Sequence, residues 1–144
     1  MRTRVFKWCS AWLILAVLAA LLPASAMAQG GTVISFSPSL VVADVGDMVN
    51  IDLVITDASD LYGAEVHISF DPALLQVLDD DPAEPGVQIL PGSLFPKSDP
   101  SYIVQNIADN TAGTLDFAIT LLAPEAPPNG SGTLATVRFA GQAA

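Results

Sequence analysis

Cysteine and tryptophan are almost absent from this chain of 144 residues. The single cysteine, Cys9, and both tryptophans, Trp8 and Trp12, lie close to the amino terminus. The rest of the chain therefore has no cysteine to form a disulfide, to act as a thiolate nucleophile or to bind a metal. A fold built from it has to be held together by hydrophobic packing and hydrogen bonds.

Basic residues are scarce as well, with 5 Lys and Arg against 15 Asp and Glu, which gives a formal net charge of −10. Three of the five lie within the first seven residues, so only Lys97 and Arg138 remain beyond them. A surface this acidic repels phosphate backbones and anionic lipid headgroups. Charge therefore argues against a nucleic-acid partner and against binding to a membrane surface.

The first 28 residues have the features of a secretory signal peptide. Basic residues precede an apolar run at residues 11–22, and the small-residue pattern Ala26-Met27-Ala28 marks a cleavage site. The alternative is a retained membrane anchor, but the run is shorter than the roughly 20 apolar residues that a spanning helix needs. We expect bacterial export, cleavage before Gln29, and a secreted or cell-surface domain of residues 29–144 that does not insert into a membrane.

Alternation of apolar and polar residues predicts β-strands along most of this domain. The period of two is clearest at residues 49–55, 62–70 and 114–121, whereas residues 73–78 fit a helical turn or a short strand equally well. Further β-prone runs occupy residues 32–36, 40–45, 87–90, 102–107 and 133–139. Seven or eight short strands separated by turns predict an all-β, antiparallel β-sandwich.

Motifs for catalysis are missing. The chain has no G-x-S-x-G, no H-E-x-x-H and no Gly-rich phosphate loop, and His67 is its only histidine. Two carboxylates can hydrolyse a glycosidic bond, but acidic residues are numerous enough here to lie close together by chance. Residues 79–85 contain three consecutive aspartates without the spacing of a calcium loop, which predicts a solvated loop. We therefore predict a non-catalytic domain with no cofactor and no metal.

Four short motifs, taken in chain order, resemble the cohesin domain. They are Val45-Gly46-Asp47 before an alternating strand, Phe70-Asp71-Pro72 at the end of the next strand, Leu74-Leu75, and the sequence GSGTLAT at residues 130–136. No single motif is specific, but the ordered set covers most of residues 29–144. The resemblance implies a jelly-roll sandwich like that of cohesins and related carbohydrate-binding domains.

The resemblance also implies a partner and a binding face. Cohesin domains bind dockerins, which are small helical modules that carry calcium themselves, in extracellular polysaccharide-degrading or cell-surface assemblies. The family's recognition strand matches residues 62–70, and Glu65 stands where family members carry an acidic residue that bonds the dockerin helix. The partner-binding residues that the resemblance implies are Gly63, Glu65, His67, Ser69, Asp116, Ala118 and Thr120.

Two other functions stay open. Carbohydrate-binding modules stack sugars on exposed aromatic rings. Beyond the signal peptide the chain has no tryptophan, and its only tyrosines are Tyr62 and Tyr102. Tyr62 and Phe70 are expected to point inward, so polysaccharide binding ranks second. A structural module of a surface protein, without a ligand, ranks third.

Cohesin-like domains usually continue past the strand that matches residues 130–136 into one more strand. We therefore expect a chain that is truncated at its C-terminal end, a sheet with an open edge, or a strand supplied by another chain.

Overall fold

The computed structural model describes residues 31–95 and 101–142, and within these residues the chain forms eight β-strands. They are β1 (Val33–Ser37), β2 (Met48–Ala58), β3 (Gly63–Ser69), β4 (Leu75–Val77), β5 (Leu90–Pro91), β6 (Ser101–Asp109), β7 (Thr114–Leu121) and β8 (Gly130–Gly141). No helix in the described part is long and apolar enough to cross a membrane. The proposed signal peptide lies outside the described residues.

Two antiparallel sheets build the fold. The larger sheet has five strands in the order β1-β2-β8-β4, and β5 also pairs with β8. The smaller sheet has three strands in the order β3-β7-β6. The prediction of an all-β, antiparallel β-sandwich is therefore confirmed.

The core lies between the inward faces of the two sheets. Every second residue of β7 is buried, which places Leu115, Phe117, Ile119 and Leu121 against the larger sheet. Facing them are Leu53 and Ile55 of β2 and Leu134, Ala135, Val137 and Phe139 of β8. A bulge opposite Leu53 allows the consecutive residues Leu134 and Ala135 both to be buried. Each large apolar side chain buried in this way contributes roughly 1.5–3 kcal/mol.

The segment of residues 40–45 does not form the strand that its composition predicts. Leu40 and Val42 are almost fully exposed instead. A preference for extended backbone stabilises a strand only where a neighbouring strand can complete the hydrogen bonds and cover the side chains. No described strand pairs with this segment, so the prediction was wrong here.

The ambiguous stretch at residues 73–78 contains a turn followed by a strand. The carbonyl of Asp71 accepts bonds from the amides of Leu74 and Leu75, and its carboxylate accepts one from the amide of Ala73. The chain then enters β4. Residues 87–90 were predicted as a strand, but β5 comprises only Leu90–Pro91.

Candidate functional site

The outward side of the smaller sheet, which we call the outer face, brings all seven predicted partner-binding residues together. On β3 exposed residues alternate with half-buried ones that point inward, and β7 alternates in the same phase. The register arranges the outer face in four cross-strand rows. From β3 through β7 to β6 they are Gly63, Thr120 and Tyr102; Glu65, Ala118 and Gln105; His67, Asp116 and Ile107; and Ser69, Thr114 and Asp109.

His67 lies near the centre of the outer face between two carboxylates. Its Nδ1 is 2.5 Å from Oδ1 of Asp116, its direct cross-strand partner, and its Nε2 is 3.1 Å from Oε1 of Glu65. The hydrogen bond to Asp116 is the largest cause that raises the pKa of His67, and the charges of both carboxylates add to it. Both ring nitrogens are donors in the protonated imidazole, so this form satisfies both carboxylates.

A shallow depression of about 370 Å³ lies beside this cluster. Gly63 and Ala118 line it with little or no side chain, and Glu65, Val104 and Gln105 also border it. A protruding side chain of a partner can therefore enter next to the Glu65 carboxylate. A hydroxyl, an ammonium or a guanidinium group would form a hydrogen bond there, and with the cations the bond is charge-assisted on both sides.

The two tyrosines are both exposed at one end of the smaller sheet. Tyr62 and Tyr102 each keep 58% of their surface accessible. The prediction that Tyr62 is buried was wrong, because Tyr62 precedes the first residue of β3 and the interior ends there. Leu61 packs against the core instead, and the carbonyl of Tyr62 accepts a bond from the amide of Leu121. Phe70 is half-buried against the core, and its ring meets that of Phe139 edge-on.

Sequence reasoning missed the contribution of β6 to the outer face. A bulge between Ile103 and Gln105 leaves Val104 as an extra residue at the edge of the depression, and after it Gln105 and Ile107 continue the outward phase begun by Tyr102. At the far end of β6, the amides of Thr111 and Ala112 bond the Asp109 carboxylate and lower its pKa. In the sequence, the turn motif that begins at Asp109 was the only sign of where β6 ends on the outer face.

The acidic loop at residues 79–85 is exposed from Asp81 onward, as predicted for a solvated loop, but its first two residues are bonded to the rest of the fold. The carboxylate of Asp79 accepts bonds from the amides of Asp81 and Gln88. Asp80 pairs with Arg138 of β8 at 2.5 Å. In the part of the chain that the structure describes, no group of three or more His, Cys, Asp or Glu side chains could hold a metal ion.

Three solved structures with the same fold are similar to this chain. A type II cohesin in an interface mutant of a cohesin–X–dockerin complex from Acetivibrio cellulolyticus has 20% identity and a TM-score of 0.65, over 78% of this chain and 72% of that one. A type II cohesin domain from the cellulosome of the same organism has 22% identity and a TM-score of 0.62, over 79% and 70%. Type II cohesin A11 from Bacteroides cellulosolvens has 18% identity and a TM-score of 0.59, over 78% and 69%.

Comparison with curated protein sequences gives no match. The family model of the cohesin domain, in contrast, matches residues 34–142, which include every strand except the first residue of β1. This match covers far more than half of the chain, and the sandwich described above agrees with it. The chain therefore belongs to the cohesin domain family.

Proposed function

We propose that this domain is a secreted, non-catalytic interaction module that binds a dockerin-type partner through the outer face. One observation carries the proposal: the seven residues implied by the sequence resemblance lie on one side of one sheet, in adjacent rows. Family membership supports the class of partner, and one of the similar structures is a cohesin–X–dockerin complex.

The chemistry of the outer face fits a helical module with exposed donors. Glu65 and Asp116 are acceptors near its centre, and a hydrogen bond from a hydroxyl, a cation or a helix N-terminus to a carboxylate is about twice as strong as one between neutral groups. The depression beside Glu65 would take one side chain of the partner. Calcium would belong to the dockerin, and the domain would act in an extracellular or cell-surface assembly after signal cleavage.

The test is calorimetric titration of residues 29–144 with a panel of calcium-loaded dockerins. Ala118→Arg places a long side chain in the middle of the outer face, so we expect binding to be lost. Thr56→Arg is the matched control, because Thr56 lies on the opposite, larger sheet. Absence of binding to every dockerin, or equal loss in both variants, would contradict the proposal.

A second candidate function is polysaccharide binding, which the exposure of both tyrosines favours. Two accessible rings at one end of a sheet offer flat apolar area on which sugars stack. Affinity electrophoresis in soluble cellulose or xylan derivatives tests this function. Retardation that disappears in Tyr62→Ala and Tyr102→Ala, without dockerin binding, would replace the first proposal; no binding of either ligand would favour a structural module.

A further inference from the structure

The two carboxylates that bond His67 differ in how accessible they are to a partner. The bond to Asp116 is 2.5 Å long and the bond to Glu65 is 3.1 Å long. The side chain of Asp116 is 34% exposed, whereas that of Glu65 is 62% exposed. A donor from another protein can therefore take Glu65 away from His67 while the cross-strand bond to Asp116 stays in place.

The depression on the outer face opens next to the Glu65 carboxylate. Ala118, the cross-strand partner of Glu65, and Gly63, two residues earlier on β3, leave room for a side chain to enter. Val104 at the edge of the depression is 60% exposed, so it offers an apolar surface. A long side chain can lay its methylene groups against Val104 and bring a polar head to the carboxylate, as lysine and arginine do at other protein surfaces.

The charge of the outer face favours a cation over a neutral donor in this depression. The described carboxylates of the face are Glu65, Asp109 and Asp116, and its one basic group is the imidazole of His67. The one lysine or arginine among the described residues, Arg138, lies on the larger sheet. A basic side chain of a partner is therefore attracted to the outer face and has only protonated His67 to compete with there.

We propose, on the basis of the dockerin-binding function proposed above, that the depression beside Glu65 binds one lysine or arginine side chain of the partner, and that this side chain displaces protonated His67 from the Glu65 carboxylate. The incoming cation takes the place of the N–H donor at Nε2. Repulsion between this cation and the imidazolium then favours the neutral imidazole. The ring releases its Nε2 proton to solvent and keeps its Nδ1–H bond to Asp116.

The protonation of His67 is controlled by few other groups. The remaining ionisable side chains of the outer face are Glu65 on β3, Asp116 on β7, and Asp109 and Tyr102 on β6. Only the first two bond the ring. In the row of His67, β6 contributes Ile107, which does not ionise, and the ionisable residues of β6 lie one and two rows away. Loss of the Glu65 bond to a cation therefore lowers the pKa of His67.

Release of this proton makes binding of the partner depend on pH. The pKa of His67 is raised in the free domain and falls in the complex, so the affinity should rise with pH between the lower and the higher of these two values. Two cations that share one carboxylate at a protein surface repel each other enough to change the affinity ~10-fold over this interval.

The first test needs only residues 29–144 and two small probes. Acetyl-arginine amide carries a guanidinium group, and acetyl-citrulline amide has nearly the same shape without the charge. At equal concentration and ionic strength, NMR titration of the His67 ring protons should give a lower pKa with the arginine probe and no change with the citrulline probe. Glu65→Gln should abolish this effect, whereas Glu84→Gln in the acidic loop should preserve it.

Two arginine variants place the same cation permanently on either side of His67. Residues 114 and 118 of β7 are each two positions from Asp116, but only Ala118 lies opposite Glu65. The pKa of His67 should therefore fall more in Ala118→Arg than in Thr114→Arg. This comparison does not depend on the weak binding of a small molecule. The arginine probe should have no further effect in Ala118→Arg, because the depression is filled.

The last test uses any calcium-loaded dockerin that binds the domain. Calorimetry in buffers of different ionisation enthalpy should show proton release on binding, and the affinity should rise with pH. His67→Gln should remove both effects, whereas loss of calcium from the dockerin at low pH would persist in this variant.

Four outcomes would overturn the proposal: no effect of the arginine probe, equal effects of both probes, equal pKa values of His67 in the two arginine variants, or dockerin binding that is independent of pH. Absence of binding to every dockerin would instead contradict the proposed function, since the probe titrations and the arginine variants test the depression without a dockerin.

Discussion

The imidazole of His67 on β3 lies 2.5 Å from a carboxylate oxygen of Asp116 on β7, because the two residues are direct cross-strand partners. Glu65, two residues earlier on the same side of β3, bonds the other ring nitrogen. This arrangement favours the protonated imidazole, which donates from both nitrogens. The centre of the outer face therefore changes its charge with pH.

The first prediction concerns this titration. Because the pKa of His67 is raised in the folded state, protonation stabilises the native fold below the ordinary value of about 6.5, and this contribution is lost as the pH rises through the raised pKa. NMR titration of the ring protons should give a pKa above 6.5. Asp116→Asn removes the largest cause and should lower the pKa towards 6.5.

Glu84→Gln is the control for that titration, because Glu84 is an exposed carboxylate of the acidic loop and does not bond His67. It should leave the His67 titration unchanged. A pKa at or below 6.5 in the unaltered protein would show that the two carboxylates do not hold the proton in solution.

The second prediction concerns Asn106, whose side chain bonds one backbone segment twice. Its Oδ1 accepts from the amide of Ile89 at 2.9 Å, and its Nδ2 donates to the carbonyl of Ile89 at 2.8 Å. Ile89 is buried, so Asn106→Ala leaves a buried donor and a buried acceptor without partners. We expect the free energy of unfolding to fall by about 2–4 kcal/mol in chemical denaturation.

Asn50→Ala is the matched control, because Asn50 is exposed on the outward side of β2. Its effect should stay within about 0.5 kcal/mol. Similar losses in the two variants would mean that water replaces the Asn106 bonds and that this side chain does not hold the two segments together.

The strands that sequence alone predicts best are those with one side packed against the core. β2, β3 and β7 each pack one face against the core, and their alternation follows directly from that contact. Residues 40–45 are also rich in β-prone residues but pair with no strand of the described residues, and β6 loses its phase at a bulge. Local sequence records side-chain preference, whereas pairing partners and bulges depend on the rest of the fold.

The candidate site was predictable only to the level of a shared face. Alternation places His67 and Asp116 outward on two strands, but a slip of two residues in register would keep both outward and separate them. Only the register makes them cross-strand partners. Tyr62 shows another limit of predicting burial from alternation. A residue whose position in the alternation points inward is buried only where the opposite sheet extends far enough to cover it.

The third prediction concerns Asp80, whose side chain is only 12% exposed and pairs with Arg138 at 2.5 Å. Arg138→Met removes the cation and leaves a largely buried carboxylate unpaired. We expect a loss of about 2 kcal/mol in the free energy of unfolding, less than for a fully buried pair because Arg138 is partly exposed. Adding Asp80→Asn to this variant should restore part of the loss.

A complete double-mutant cycle by chemical denaturation measures this coupling. Asp80→Asn with Arg138→Met should be more stable than Arg138→Met alone. If the double variant is less stable than Arg138→Met alone, the ion pair of Asp80 with Arg138 is not what attaches the start of the acidic loop to β8.

The fourth prediction compares two glycines with positive φ. At Gly113 (φ 69°) a Cβ atom would lie 2.3 Å from the carbonyl oxygen of Phe70 and 2.8 Å from Cδ of Pro72, whereas at Gly46 (φ 88°) no atom lies within 4 Å. Gly46→Ala therefore meets only backbone strain and should cost about 1 kcal/mol. Gly113→Ala must also displace the backbone of the β3 end and should cost about 3 kcal/mol or more. Equal costs in chemical denaturation would mean that the turn before β7 moves freely away from Phe70 and Pro72.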